Sequence, residues 1–86
     1  MKVEVPADLR PSPANFLGVS HTPYDFILDF AEVIPVGDQP RAQVVARIVI
    51  SPQFVHRMVE TLQHNLAKYE QTFGPIKRPA LPGREG

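Results

Sequence analysis

The chain reads as an α+β domain in which an antiparallel β-hairpin or three-stranded sheet leads into one long C-terminal helix packed on one sheet face. Three observations carry that reading. From Tyr24 to Ile34 the even positions are Tyr24, Phe26, Leu28, Phe30, Glu32 and Ile34, apolar at all but one, the alternation of a strand with one buried face. From Arg41 to Ile50 the alternation returns, with Ala42, Val44, Ala46, Ile48 and Ile50 facing one way and Arg41, Gln43, Val45, Arg47 and Val49 the other. Ser51-Pro52 then opens a helical stretch that Gly74-Pro75 closes.

The first element is a short extended segment, Asn15 to His21, stopped by Thr22-Pro23. Proline cannot donate to a ladder, so Pro23 marks a turn, a bulge or an edge. A separate strand and a bent start to the next one are both open. Tyr24 to Ile34 is the second strand, and Pro35-Val36-Gly37-Asp38-Gln39-Pro40 is a loop rich in turn-forming residues. The third strand is Arg41 to Ile50. The two long strands form a hairpin, for which one register sets Asp29 opposite Arg47 and Phe30 opposite Ala46. A slip of two residues keeps the faces and changes the partners, so the register is also open.

The helix has the sharpest boundaries. Ser51 suits the N-cap, and Pro52 at the first helical position loses only an N–H that lacks an intrahelical partner anyway. Gly74 suits the left-handed position after the last turn, and Pro75 blocks continuation. Val55, Met58, Leu62, Leu66, Tyr69 and Phe73 step by three or four residues. They form one apolar stripe, which Phe54 and Val59 widen. Met58, Leu62, Leu66, Tyr69 and Phe73 are expected to be the helix's core face. A helix of about 22 residues is roughly 33 Å long, close to the roughly 36 Å of an eleven-residue strand, so it matches the hairpin in length.

A helix covers one face of a two-stranded sheet. The other face bears Asp25 and Asp29 beside Ile27, Ala31, Val33, Val45 and Val49, too apolar for water alone and too charged for a closed monomer core. Ile27, Val33, Val45 and Val49 are therefore the expected oligomer interface, in a homodimer or larger assembly. Size argues the same way. Of 86 residues, 1–13 and 77–86 are proline-punctuated tails expected to be flexible. That leaves a domain over 14–76, about 60 residues, where a single core becomes marginal. No cysteine is present, so neither disulfide nor thiolate metal site staples it.

Charge and motifs narrow the function classes. Nine basic and nine acidic residues cancel, which is not the footprint of a protein that coats nucleic acid or anionic lipid. No signal-like or membrane-length apolar run occurs, and a cytoplasmic location is expected. His56, Glu60 and His64 share a helix stripe at spacings of four. That pattern fits a solvated face with local ion pairs better than a metal site, and no metal or cofactor is expected. Asp25 and Asp29 lack a neighbouring nucleophile or phosphate cradle, and cross-strand pairing with Arg47 and Arg41 accounts for them. Asn65 borders the apolar stripe, where a polar residue can set the register of a helix pair. Lys77-Arg78 with Arg84 reads as solvated end sequence.

Ala14-Asn15, Thr22-Pro23-Tyr24-Asp25-Phe26 and Leu28-Asp29-Phe30 resemble the first half of a small prokaryotic domain-of-unknown-function family, number thirty-four sixty-seven. Ala46-Arg47-Ile48, Ser51-Pro52, Asn65-Leu66, Tyr69-Glu70 and Phe73-Gly74-Pro75-Ile76 resemble its second half, in order and at similar spacing. The resemblance implies a stand-alone bacterial or archaeal protein of about this size. It implies no activity and carries over no catalytic or ligand residue. The expected function is a non-enzymatic oligomeric protein-interaction domain, an adaptor or accessory. The alternatives are a nucleic-acid-binding or transcriptional accessory protein and a chaperone-like oligomer that holds extended peptides.

Overall fold

The computed structural model of the protein describes residues 1–77. Three strands, β1 (Phe16–His21), β2 (Phe26–Val36) and β3 (Gln39–Ile50), precede one helix, α1 (Pro52–Phe73). The strands form one antiparallel sheet in the order β1-β2-β3. Residues 1–15 contain no strand or helix, only a turn at Ala7-Asp8 where Leu9 N–H donates to Pro6 C=O at 3.1 Å. The expected basic cluster at the C-terminus involves Arg78 and Arg84, which lie outside the described residues. By its contacts the chain divides after Val55 into a sheet unit and a helical unit.

The segment before Pro23 is a separate strand. Asn15 starts it twice over: its backbone N–H donates to Ala31 C=O at 3.0 Å, and its side-chain Oδ1 accepts from Val33 N–H at 2.8 Å. The amide thus stands in for one more rung of ladder. Thr22 ends β1 and builds the turn. Its N–H donates to Asp25 C=O at 2.9 Å, and its Oγ1 accepts from the N–H groups of Tyr24 and Asp25 at 3.1 and 3.2 Å. The Thr22 hydroxyl also donates to Asp25 Oδ1 at 2.7 Å. Asp25 therefore belongs to the turn, and β2 begins at Phe26 rather than Tyr24.

At the other end the hairpin is tighter than expected. β2 runs to Val36 and β3 starts at Gln39, leaving the two-residue turn Gly37-Asp38. Gly37 has φ +59°, the left-handed value that a primed hairpin turn needs at its first central position and that an L side chain resists. Pro35 and Pro40 face each other one pair in from the turn. In a two-residue hairpin that pair carries no cross-strand hydrogen bonds, so their missing N–H groups cost the ladder nothing.

Of the registers left open, the one that pairs Asp29 with Arg47 and Phe30 with Ala46 holds over the body of the hairpin. The next pair is Ala31 with Val44, so Val45 has no partner and forms a β-bulge. The bulge is a geometric necessity. Pairing outward from the two-residue turn and pairing inward from Asp29–Arg47 differ by one residue on β3, and Val45 absorbs the difference. It also overturns the expectation that Ala42, Val44, Ala46, Ile48 and Ile50 share a face. Below the bulge Val44 and Ala42 lie with Ala31 and Val33, while Arg41 and Gln43 pass to the other side.

Only Leu28 and Ala31 are buried among the described residues, with 4 % and 2 % of their surface exposed. They lie on opposite sheet faces. Leu28 is flanked across the strands by Val19 and Ile48, and Ala31 by Phe16 and Val44. α1 has the bounds anticipated. Ser51 occupies the N-cap position, and its carbonyl accepts from Phe54 N–H at 3.1 Å. Gly74 has φ +92° and donates to Glu70 C=O at 2.8 Å, the single bond of a left-handed helix cap.

Candidate interaction surfaces

Register sorts the sheet into two faces. One carries Leu28 with Leu17, Val19, Phe26, Phe30, Ile48 and Ile50; the other carries Ala31 with Phe16, Ile27, Asp29, Val33, Val44, Arg47 and Val49. Phe26, Phe30, Ile50 and Ile27 are half-buried, whereas Phe16, Leu17, Val19, Val44, Ile48 and Val49 are exposed. Of the residues expected to form an oligomer interface, Ile27 and Val49 are a direct cross-strand pair and Val33 faces Ala42 on the same side. Val45 is the bulge residue and stands outside that alternation. Val49 exposes 60 % of its surface.

At the centre of this second face Asp29 and Arg47 form a two-pronged ion pair, Arg47 Nε to Asp29 Oδ1 at 2.7 Å and Nη2 to Oδ2 at 3.0 Å. Both prongs are charge-assisted and geometrically matched. Chiefly through these hydrogen bonds, the guanidinium holds the Asp29 carboxyl below its ordinary range, against partial desolvation. A folded-state value lowered in this way adds stability that is fully present above the unfolded carboxylate value of about 3.9 and is lost as pH falls through the folded one. Arg47 is reciprocally raised. The pair tethers β2 to β3 beside the bulge, a structural task.

The other polar candidates are also occupied locally. Asp25 serves the Thr22 turn, so it does not join Asp29 as an acid–base pair. The His21 ring lies 5.5 Å from that of Phe26, tilted by 34°. Among the described residues no three His, Cys, Asp or Glu side chains approach closely enough to hold a metal ion, and that includes His56, Glu60 and His64. Arg41, Ala42 and Gln43 line an open depression on the hairpin arm, with no converging catalytic groups.

The helix carries a further apolar surface. Val55 and Met58 are half-buried, and Leu62, Leu66, Tyr69 and Phe73 are exposed, Leu62 by 63 % and Phe73 by 72 %. No residue of α1 is buried. The Tyr69 and Phe73 rings stack obliquely, their centroids 4.9 Å apart at 46°. Asn65 beside the stripe donates through Nδ2 to Thr61 C=O at 3.0 Å. Sequence reasoning missed Phe16, Leu17, Val19 and Val44 as surface contributors. The first three depended on knowing that β1 is a strand, and Val44 on the bulge.

No described helix is long and apolar enough to cross a membrane. No curated protein and no solved structure matches the chain. Residues 3–78 match the family model described as a protein of unknown function, DUF3467, and the chain belongs to that family.

Proposed function

We propose that this chain is a non-enzymatic, self-associating protein-interaction domain, an adaptor or accessory whose copies meet through the sheet face bearing Ile27, Val33 and Val49. The observation that carries the reading is the imbalance between apolar surface and core. The described residues bury only Leu28 and Ala31 while leaving large apolar side chains open on both sheet faces and along α1. Contiguous apolar patches beyond a few hundred Å² mark interaction sites in soluble proteins. An isologous contact suits a chain that has no cysteine to staple it.

Val49→Asp tests the sheet face. Val49 is largely exposed, so the charge is tolerated by the single chain and penalised only where a second copy covers it. Light scattering after size exclusion should give a lower mass for the variant than for the native protein, with unchanged circular dichroism. An unaltered mass sinks the assignment of this face. A second reading draws on β3, a 12-residue edge strand that among the described residues is paired on one side only. Such an edge accepts an extended peptide by strand addition, and suppression of client aggregation by the native protein would favour this chaperone-like role.

A further inference from the structure

We propose that α1 pairs with α1 of a second copy as a short antiparallel coiled coil. The inference rests on the self-association proposed above and assigns it a second surface. Val55, Val59, Leu62, Leu66, Tyr69 and Phe73 are separated alternately by four and three residues, a strict period of 3.5 through nearly the whole of α1, which is the seam of a coiled coil. The seam is graded. Its N-terminal end carries two valines, its middle two leucines, and its C-terminal end the tyrosine and phenylalanine whose rings already lean on one another.

That gradient selects both the occupant and its direction. In an antiparallel pair centred between Leu62 and Leu66, Val55 faces Phe73 of the second copy, Val59 faces Tyr69, and Leu62 faces Leu66. Every layer then sets a small side chain against a large one, or leucine against leucine, and the seam has even girth, as close packing demands. A parallel pair would put valine on valine at one end and ring on ring at the other, splaying the helices, and would align their dipoles unfavourably.

The flanking positions agree. The antiparallel register sets His56 beside Glu70 of the second copy, a nitrogen donor against a carboxylate, and brings Gln63 and Asn65 each beside its own counterpart near the two-fold axis. Amides can hydrogen-bond to each other there, and a like charge would be repelled. Area is sufficient as well. Leu62, Leu66, Tyr69 and Phe73 are each roughly half or more exposed, and with aromatic side chains able to bury ~150–250 Å² apiece, covering two stripes removes on the order of 1,000 Å², where specific interfaces begin.

The chain has no cysteine, so engineered thiols report contacts without background. Val59→Cys and Tyr69→Cys variants of the full chain are made separately and also co-expressed, one of them tagged, then oxidised and resolved without reductant. The antiparallel pair brings position 59 of one copy within disulfide reach of position 69 of the other and keeps each position far from its own counterpart. The expected result is a mixed disulfide several-fold more abundant than either homodisulfide, repeated with Val55→Cys and Phe73→Cys, which face each other in the same register, should the first pair fold poorly. Homodisulfides from each variant alone would overturn the antiparallel direction. No cross-link from either pair, with the native mass still above that of one chain, would overturn the helix pairing and leave sheet-mediated association standing. A native mass of one chain would overturn both.

Discussion

Leu62→Asp is expected to separate the copies. In the single chain Leu62 exposes 63 % of its surface, so the charge meets water there and costs little. In the proposed helix pair each copy's Leu62 would lie against Leu66 of the other, and one substitution per chain would place two carboxylates in adjacent central layers. Central apolar anchors cost about 2–4 kcal/mol or more when lost, and an unpaired charge adds its own desolvation. A loss of this size weakens association by ~30- to 1,000-fold. Light scattering at micromolar concentration should show a lower mass than the native protein, together with a lower unfolding temperature. His64→Asp, which lies on the opposite side of the helix from the seam, should leave both unchanged. A Leu62→Asp protein with native mass and native unfolding temperature would remove the helix stripe from the account.

The second large effect belongs to the sheet. Leu28 is one of only two buried residues among those described, flanked by Val19 and Ile48. Truncation of a buried leucine to alanine removes transfer free energy and leaves a cavity, costing about 2–5 kcal/mol. A small domain has stability on the order of 0.05–0.15 kcal/mol per residue, so Leu28→Ala forfeits much of the total. The unfolding midpoint should fall by more than about 10 °C. Val33→Ala removes a side chain with roughly a third of its surface exposed and should cost less than half as much. Equal effects would mean that Leu28 is not the centre of the sheet's packing.

Much of this architecture is written in local signals. The cap residues Ser51, Pro52 and Gly74 bound the helix because their preferences are set by backbone geometry within one turn. The pairing of Asp29 with Arg47 was one register that the charge pattern of two alternating strands allows, and a slip of two residues would have kept the same faces. What escaped was non-local. Whether Asn15 to His21 is a strand depends on Asn15 reaching Ala31 and Val33, far along the chain. The bulge at Val45 was legible in principle: a two-residue Gly37-Asp38 turn and the Asp29–Arg47 pair cannot both hold without it, and the adjacent apolar Val44 and Val45 mark the spot. Reading a longer loop concealed the conflict. The helix stripe was legible as apolar, but periodicity shows which face is apolar and not what covers it.

Asp25 shows a different limit. Its spacing from Asp29 suggests a shared strand face, yet the Thr22 hydroxyl claims it for a turn. Short polar side chains compete for backbone groups near strand ends, and alternation counted through such a residue starts the strand two residues too early.

The central claim is that this chain completes its core with a second copy of itself. The most direct test is the thermal unfolding midpoint of the native protein measured over a hundred-fold range of concentration. Folding coupled to association makes the midpoint rise with concentration by mass action, and that rise is the predicted result. A midpoint independent of concentration, with a solution mass of 9.6 kDa throughout, would contradict the account.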